Sequence, residues 1–181
     1  MSLKVSVFIA TSLDGFIARE DGSLDWLDEA NKLVPQGEDA GYQAFFDSID
    51  VLVMGRNSYE KVLSFGQWPY ADKRVIVLSR KVLKIPDNIS ETVSHSSESP
   101  SELYSRLDSE GGKHLYIDGG NTIQRFLSDC LVDQMIITTV PFVIGSGIPL
   151  FRKTEKDVRL QLVSSKAYEF GFVQSCYVVV K

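Results

Sequence analysis

The chain has 181 residues, 44% hydrophobic and 24% charged, which suits one globular domain over residues 1–181 and leaves too little for a second. A formal net charge of −5 with no basic block argues against a nucleic-acid or anionic-membrane partner. The amino terminus MSLKVSVFIATSLDG has neither a membrane-length apolar run nor a small-residue cleavage site, so a cytoplasmic protein is expected.

In chain order, LKVSVFIA (3–10), DVLVMG (50–55), RVIVLS (74–79), HLYID (114–118) and QMIITTVPFVI (134–144) are compact apolar runs rich in β-branched residues. Near-continuous hydrophobicity predicts strands covered on both faces of a mostly parallel sheet. Helices are predicted between them in EDAGYQAFFDSI (38–49), NSYEKVLSF (57–65), SPSELYSRLDSEGG (99–112) and GNTIQRFLSDC (120–130). In SPSE, Ser99 suits the N-cap, Pro100 the first helical position and Glu102 the reciprocal cap, while Gly111 and Gly112 supply a stop. The alternation predicts a three-layer α/β fold. SHSSESPSE (94–102) reads as a polar surface connection. VRLQLVSSKAYEFGFVQSCYVVVK (158–181) breaks the rhythm with two strand-like runs and no helix between, so it predicts a C-terminal antiparallel hairpin, its second arm covered on both faces. Cys130 and Cys176 stand apart, outside any CxxC or Cys/His pattern, and read as buried thiols with no metal or disulfide framework implied.

Three strand ends carry groups suited to a phosphate. Gly119 and Gly120 stand between a strand and a helix start, where unpaired N–H groups attract anions and the missing side chains permit close approach; a tight strand-to-helix turn is the competing reading. Gly55 and Arg56 end another strand, with Asn57 or Ser58 placed to cap the next helix and the Arg56 guanidinium offering fork-like donors. Ser79, Arg80 and Lys81 end a third. Ligands of open α/β sheets bind at the carboxyl ends of strands, so the three segments can converge on one dinucleotide. His95 and His114 have no carboxylate or nucleophile motif beside them and read as surface residues.

The segments VFIATSLDGFIA, DGSLDWL, VLVMGRNSYE, VIVLSRK, YIDGGNTIQRFL and TTVPFVIGSGIPLF, taken in this order, resemble the dihydrofolate reductase superfamily. The stand-alone members similar to the C-terminal reductase domain of the bifunctional riboflavin-biosynthesis deaminase/reductase resemble it most, and no deaminase zinc signature is present. The resemblance implies a dihydrofolate-reductase-like fold, NADPH as cofactor and a homodimer. By that resemblance Gly55, Arg56, Asn57 and Ser58 hold adenosine-side phosphates; Leu78, Ser79 and Arg80, with Lys81, flank adenine and its 2′-phosphate; Gly119, Gly120, Asn121, Thr122 and Ile123 form the pyrophosphate turn. Ala10 and Ile17 fall beside the nicotinamide, under a mobile loop DGFIAREDGSLDWL, and Gly145–Gly147 match a Gly-x-Gly that a plain turn also explains. Trp26 and Phe46 are the aromatic candidates for the substrate pocket, with a packing role for Trp26 the alternative. Asp39 is the candidate proton donor, although Glu38 and Asp39 equally suit the first turn of a helix.

The resulting expectation is an NADPH-dependent reductase that passes a hydride to a small, flat, pterin- or pyrimidine-like substrate. A non-catalytic NADPH-binding or sensor protein of the same fold is the rival. A short-chain Rossmann dehydrogenase is disfavoured, because no G-x-G-x-x-G follows the first strand and no Tyr-x-x-x-Lys pair occurs.

Overall fold

All five apolar runs become strands in the computed structural model, which describes residues 2–181: β1 (Lys4–Ser12), β3 (Val51–Gly55), β4 (Arg74–Leu78), β6 (His114–Asp118) and β7 (Gln134–Val140). A short strand β2 (Phe16–Ala18) follows β1. The helices are α1 (Asp25–Asn31), α2 (Tyr42–Ser48), α3 (Arg56–Leu63), α4 (Pro100–Ser109) and α5 (Gly120–Ser128). The remaining strands are β5 (Val93–Ser96), β8 (Ile148–Pro149), β9 (Leu160–Ala167) and β10 (Val173–Val179). One sheet runs in the order β5-β4-β3-β6-β1-β7-β10-β9, parallel from β5 to β7 and antiparallel at β10 and β9.

The period of two along each strand builds the layers. Val51, Val53, Ile76, Leu115 and Ile117 point to one face and meet Leu103 and Leu107 of α4 and Ile123, Phe126 and Leu127 of α5. Leu52, Met54, Val75, Val77 and Tyr116 point to the other and meet Phe45 of α2 and Tyr59 and Leu63 of α3. Burying each large apolar side chain contributes about 1.5–3 kcal/mol, so the continuous apolar runs are what hold helices on both sides. The predicted capping box of α4 forms: Ser99 Oγ accepts from Glu102 N–H at 3.3 Å, and the Glu102 carboxylate accepts from Ser99 N–H at 2.8 Å.

Several local expectations are corrected. The helix expected from residue 38 starts at Tyr42, because Ala40 (φ 52°) and Gly41 (φ 79°) are left-handed. α3 starts at Arg56 with Gly55 as N-cap, so neither Asn57 nor Ser58 caps it. β5 occupies part of the stretch read as a connection, as a short parallel edge strand. The DGSLDWL segment contributes α1, and the second sheet, β2 with β8, was not foreseen. The hairpin is present, but β9 is exposed nearly throughout and β10 is half-buried rather than covered. Cys130 is exposed in a left-handed turn (φ 55°), and Cys176 is half-buried with Gln134 Nε2 at 3.2 Å from its sulfur. His114 is half-buried, its Nε2 at 2.8 Å from Ser6 Oγ. Among the described residues no helix is long and apolar enough to cross a membrane.

Candidate functional site

β3 and β6 are neighbours, yet α3 leaves β3 for one face of the sheet and α5 leaves β6 for the other. Such a divergence opens a crevice at the carboxyl edge of a parallel sheet. Here it is a cleft of about 1580 Å³. The two helix starts abut at its floor: a Cβ on Gly55 would stand 3.0 Å from Thr122 Oγ1, and one on Gly119 would collide with Ser58 Oγ. Gly119 also carries φ +87°, which side chains avoid. Two sets of unpaired helix N–H groups therefore converge within one concavity, a seat for a diphosphate. The turn reading of the glycine pair is what the structure shows, and the same turn brings the two sets of donors together.

Of the fifteen residues expected to bind cofactor, Ala10, Ile17, Gly55, Arg56, Asn57, Ser58, Leu78, Ser79, Arg80, Lys81, Gly119, Gly120, Asn121 and Thr122 line this cleft. Ile123 does not: it is 0% exposed in the core beneath α5. At one end, the turn after β4 is fixed by Ser79, whose Oγ donates to Lys81 C=O at 2.8 Å and accepts from Lys81 N–H at 3.1 Å. His95 Nε2, 2.7 Å from Ser79 C=O, ties this turn to β5. Arg80 and Lys81 are thereby left exposed at the rim, free of ion pairs among the described residues. Arg56 Nε lies 3.6 Å from Glu60 Oε1, so part of its charge is answered within α3.

At the other end, Phe8, Ala10, Ile17, Tyr116 and Asp118 line the cleft. Asp118 ends β6, immediately before Gly119, and sequence reasoning passed over it as the last residue of a strand. Burial pushes its pKa above the usual carboxylate value, against the opposing hydrogen bond from Gly119 N–H. Tyr42 is pushed up to about 12 by burial and then by the Asp118 charge, and Tyr70 and Tyr116 are raised by the same two causes in the same order. Tyr116 O–H donates to Phe8 C=O at 2.9 Å, which fixes the ring between β6 and β1. A carboxyl that resists ionisation, beside flat aromatic walls, can hold a proton for a substrate.

The three remaining candidates are placed differently. Asp39 is exposed outside the cleft; its carboxylate accepts from Gly41 N–H (2.8 Å) and Gln43 N–H (2.9 Å) at the entry to α2. Those two bonds lower its pKa, so the structure redirects Asp39 from proton donor to helix entry. Trp26 is 2% exposed in a core with Ala30, Val140 and Phe172, its indole N–H without a partner; packing, not substrate contact, is its role. Phe46 stacks on Tyr42 (centroids 5.7 Å apart) with Lys73 Nζ 5.1 Å from its ring, and so backs the tyrosines instead of lining the cleft.

The loop after β1 lines the cleft with Ile17, Glu20, Asp21, Gly22 and Leu24. It is tied to the segment after β7. Asp14 accepts from Ile144 N–H (3.2 Å) and Gly145 N–H (2.8 Å), β2 pairs with β8, and a Cβ on Gly147 would strike Ala18 C=O. The Gly-x-Gly thus serves loop packing. Ile17 rests on Gly120, where a Cβ would stand 2.9 Å from Ile17 Cδ1, so the loop and the diphosphate seat are in contact.

The residues present fit a phosphorylated dinucleotide: paired helix starts without side chains for the diphosphate, free cations at one end and an aromatic-lined pocket at the other. Comparison with known proteins gives the family and the fold. The profile of the RibD C-terminal domain family matches residues 3–173. The uncharacterized protein YwjB of Bacillus subtilis (strain 168) is 39% identical over 173 residues, 93% of this chain and 94% of its own length. A crystal structure of a protein assigned to riboflavin biosynthesis from Shewanella sp. PV-4 superposes with a TM-score of 0.92 at 38% identity, covering 99% of this chain and 100% of that one. A dihydrofolate reductase from Enterococcus faecalis, complexed with NADP(H), shares the fold at 16% identity (TM-score 0.64, 98% of this chain and 97% of that one).

Proposed function

The chain belongs to the RibD C-terminal domain family, and on that premise we propose that it is an NADPH-dependent reductase acting on a small, flat heterocycle of pterin or pyrimidine type. The observation that carries this reading is the joining, in one cleft, of the Gly55/Gly119 helix junction to a half-buried carboxyl on the next residue back, Asp118, whose pKa desolvation raises. A cleft of about 1580 Å³ exceeds the roughly 300–1,000 Å³ of a single-ligand pocket and leaves room for cofactor and substrate together.

A bound nicotinamide cofactor supplies the hydride. The protein's own work is orientation, exclusion of water and management of one proton. The paired helix starts fix the diphosphate. Ala10 and Ile17 set one flat wall, and the loop carrying Ile17 covers the reacting end from solvent. A C=N or C=O carbon of the substrate accepts the hydride while the heteroatom accepts a proton, which we assign to Asp118 in place of Asp39. Arg80 and Lys81, with Arg56, answer the 2′-phosphate, and the fold relative crystallised with NADP(H) supports the choice of cofactor. We place the reaction in the cytoplasm, in a homodimer.

Fluorescence titration tests the cofactor: NADPH should bind at least tenfold tighter than NADH, and Arg80→Ala should narrow that gap by one to two decades, since each charged hydrogen bond contributes about 1.5–3 kcal/mol. Equal affinities in the unaltered protein defeat the assignment. NADPH oxidation screened against pterins and pyrimidinones tests turnover; tight binding with none of them turned over favours the sensor reading.

A further inference from the structure

We propose that Arg125, on α5, is a specificity-determining residue that grips the 2′-phosphate distinguishing NADPH from NADH, together with Arg80 and Lys81 of the β4 turn. The proposal rests on the reductase reading above.

Position comes first. Asn121, Gln124, Arg125 and Ser128 all line the cleft, at i, i+3, i+4 and i+7, so they mark the face of α5 turned toward it. Arg125 stands five residues beyond Gly120, about 7.5 Å along the helix from the diphosphate seat. Arg125 thus stands beyond the helix start, within side-chain reach of a group bound next to the diphosphate seat. The direction is set by the head of α4: Ser101 Oγ donates to Asp129 Oδ2 at 3.0 Å, one turn beyond Arg125, while Ser99 and Pro100 line the same cleft as Ser79, Arg80 and Lys81. Arg125 therefore belongs to the end of the cleft opposite Ala10 and Asp118.

Availability comes second. Gln124 is committed, its Nε2 donating to Pro149 C=O (3.3 Å) and Leu150 C=O (3.0 Å). Arg56 is shared with Glu60. Arg125 is exposed and makes no ion pair among the described residues, so its guanidinium is uncommitted. A guanidinium presents a planar fork of donors suited to phosphate oxygens, which a ribose 2′-hydroxyl cannot engage with comparable strength. The competing role is that of a cation in the last turn of α5, answering the helix dipole and nothing else.

Titration of purified Arg125→Ala with NADPH and with NADH, beside thermal unfolding, separates the two. The proposal expects the NADPH Kd to rise about 10- to 100-fold with the NADH Kd within twofold, and Arg125→Lys to recover part of the loss. A lower Tm with an unchanged Kd ratio, or an equal loss for both cofactors, overturns it. A wild-type protein that does not prefer NADPH sinks the cofactor reading and Arg125 with it. A clear wild-type preference that survives Arg125→Ala sinks this inference alone.

Discussion

Asp118 and Asp39 carry the same side chain in opposite surroundings. Asp39 lies in water with two backbone donors and is held as the anion; Asp118 lies at the floor of the cleft, where desolvation favours the neutral acid. Asp118→Asn should leave NADPH affinity nearly unchanged and lower turnover by about 10²–10⁴, the span of a general acid, while Asp39→Asn keeps a near-normal rate because Asn caps about as well as Asp. Since the acid must carry its proton, the wild-type rate falls as pH rises through the raised pKa, and that titration disappears in Asp118→Asn. Stability follows the same sign. The folded pKa lies above the unfolded value near 3.8, so the native state binds the extra proton, and stability is lost as pH rises from that value through the folded pKa. Urea unfolding at pH 4 and pH 8 should therefore show Asp118→Asn gaining on wild type at the higher pH; parallel curves would remove the buried-acid assignment.

At the level of elements, the decisive contact is helix start against helix start. α3 and α5 come from strands that are neighbours in space but 63 residues apart in sequence, and Gly55 against Thr122 with Gly119 against Ser58 is what lets them close. The smallest side chain tests it. Gly119→Ala forces an alanine to φ 87° and ψ 135°, a region side chains avoid, costing about 1–3 kcal/mol, and drives a methyl into Ser58, which must move from the diphosphate seat. Denaturant unfolding should show that modest loss, and NADPH affinity should fall by about tenfold or more. A variant that is destabilised yet binds NADPH normally would mean that the glycines serve the turn only. Gly120 has ordinary φ, and what its missing Cβ accommodates is the loop residue Ile17.

The whole molecule ends its sheet on an open edge. β9 exposes its backbone edge together with Leu162 (54% exposed) and Val163 (58% exposed), the latter at a bulge in the pairing with β10. An uncovered edge with apolar flanks invites pairing with another chain, and we assign that place to a second copy. Sedimentation should give twice the 20.2 kDa chain mass, and Leu162→Lys should shift the protein toward monomer without loss of circular dichroism. A monomeric wild type at micromolar concentration would leave the hairpin without a role in self-association.

Binary pattern and glycine placement alone determined the parallel core, the α4 capping box, the C-terminal hairpin and the three strand ends that line the cleft, because each depends on residues within a few positions of one another. Contacts between distant segments were decided only by the fold. No local signal distinguishes Asp118, the last residue of an apolar strand, from any polar strand terminus; it becomes an acid of raised pKa because the assembled fold desolvates it, and its charge in turn raises Tyr42, Tyr70 and Tyr116 from three separate parts of the chain. Asp39 was marked by resemblance to the family's acid position, and the left-handed Ala40 and Gly41 leave its carboxylate accepting backbone N–H groups at the entry to α2. Trp26 and Ile123 read as site residues by motif and were drawn into the core by apolar neighbours remote in sequence. Burial is a property of the assembled molecule, and a carboxylate's proton affinity follows burial more than it follows sequence.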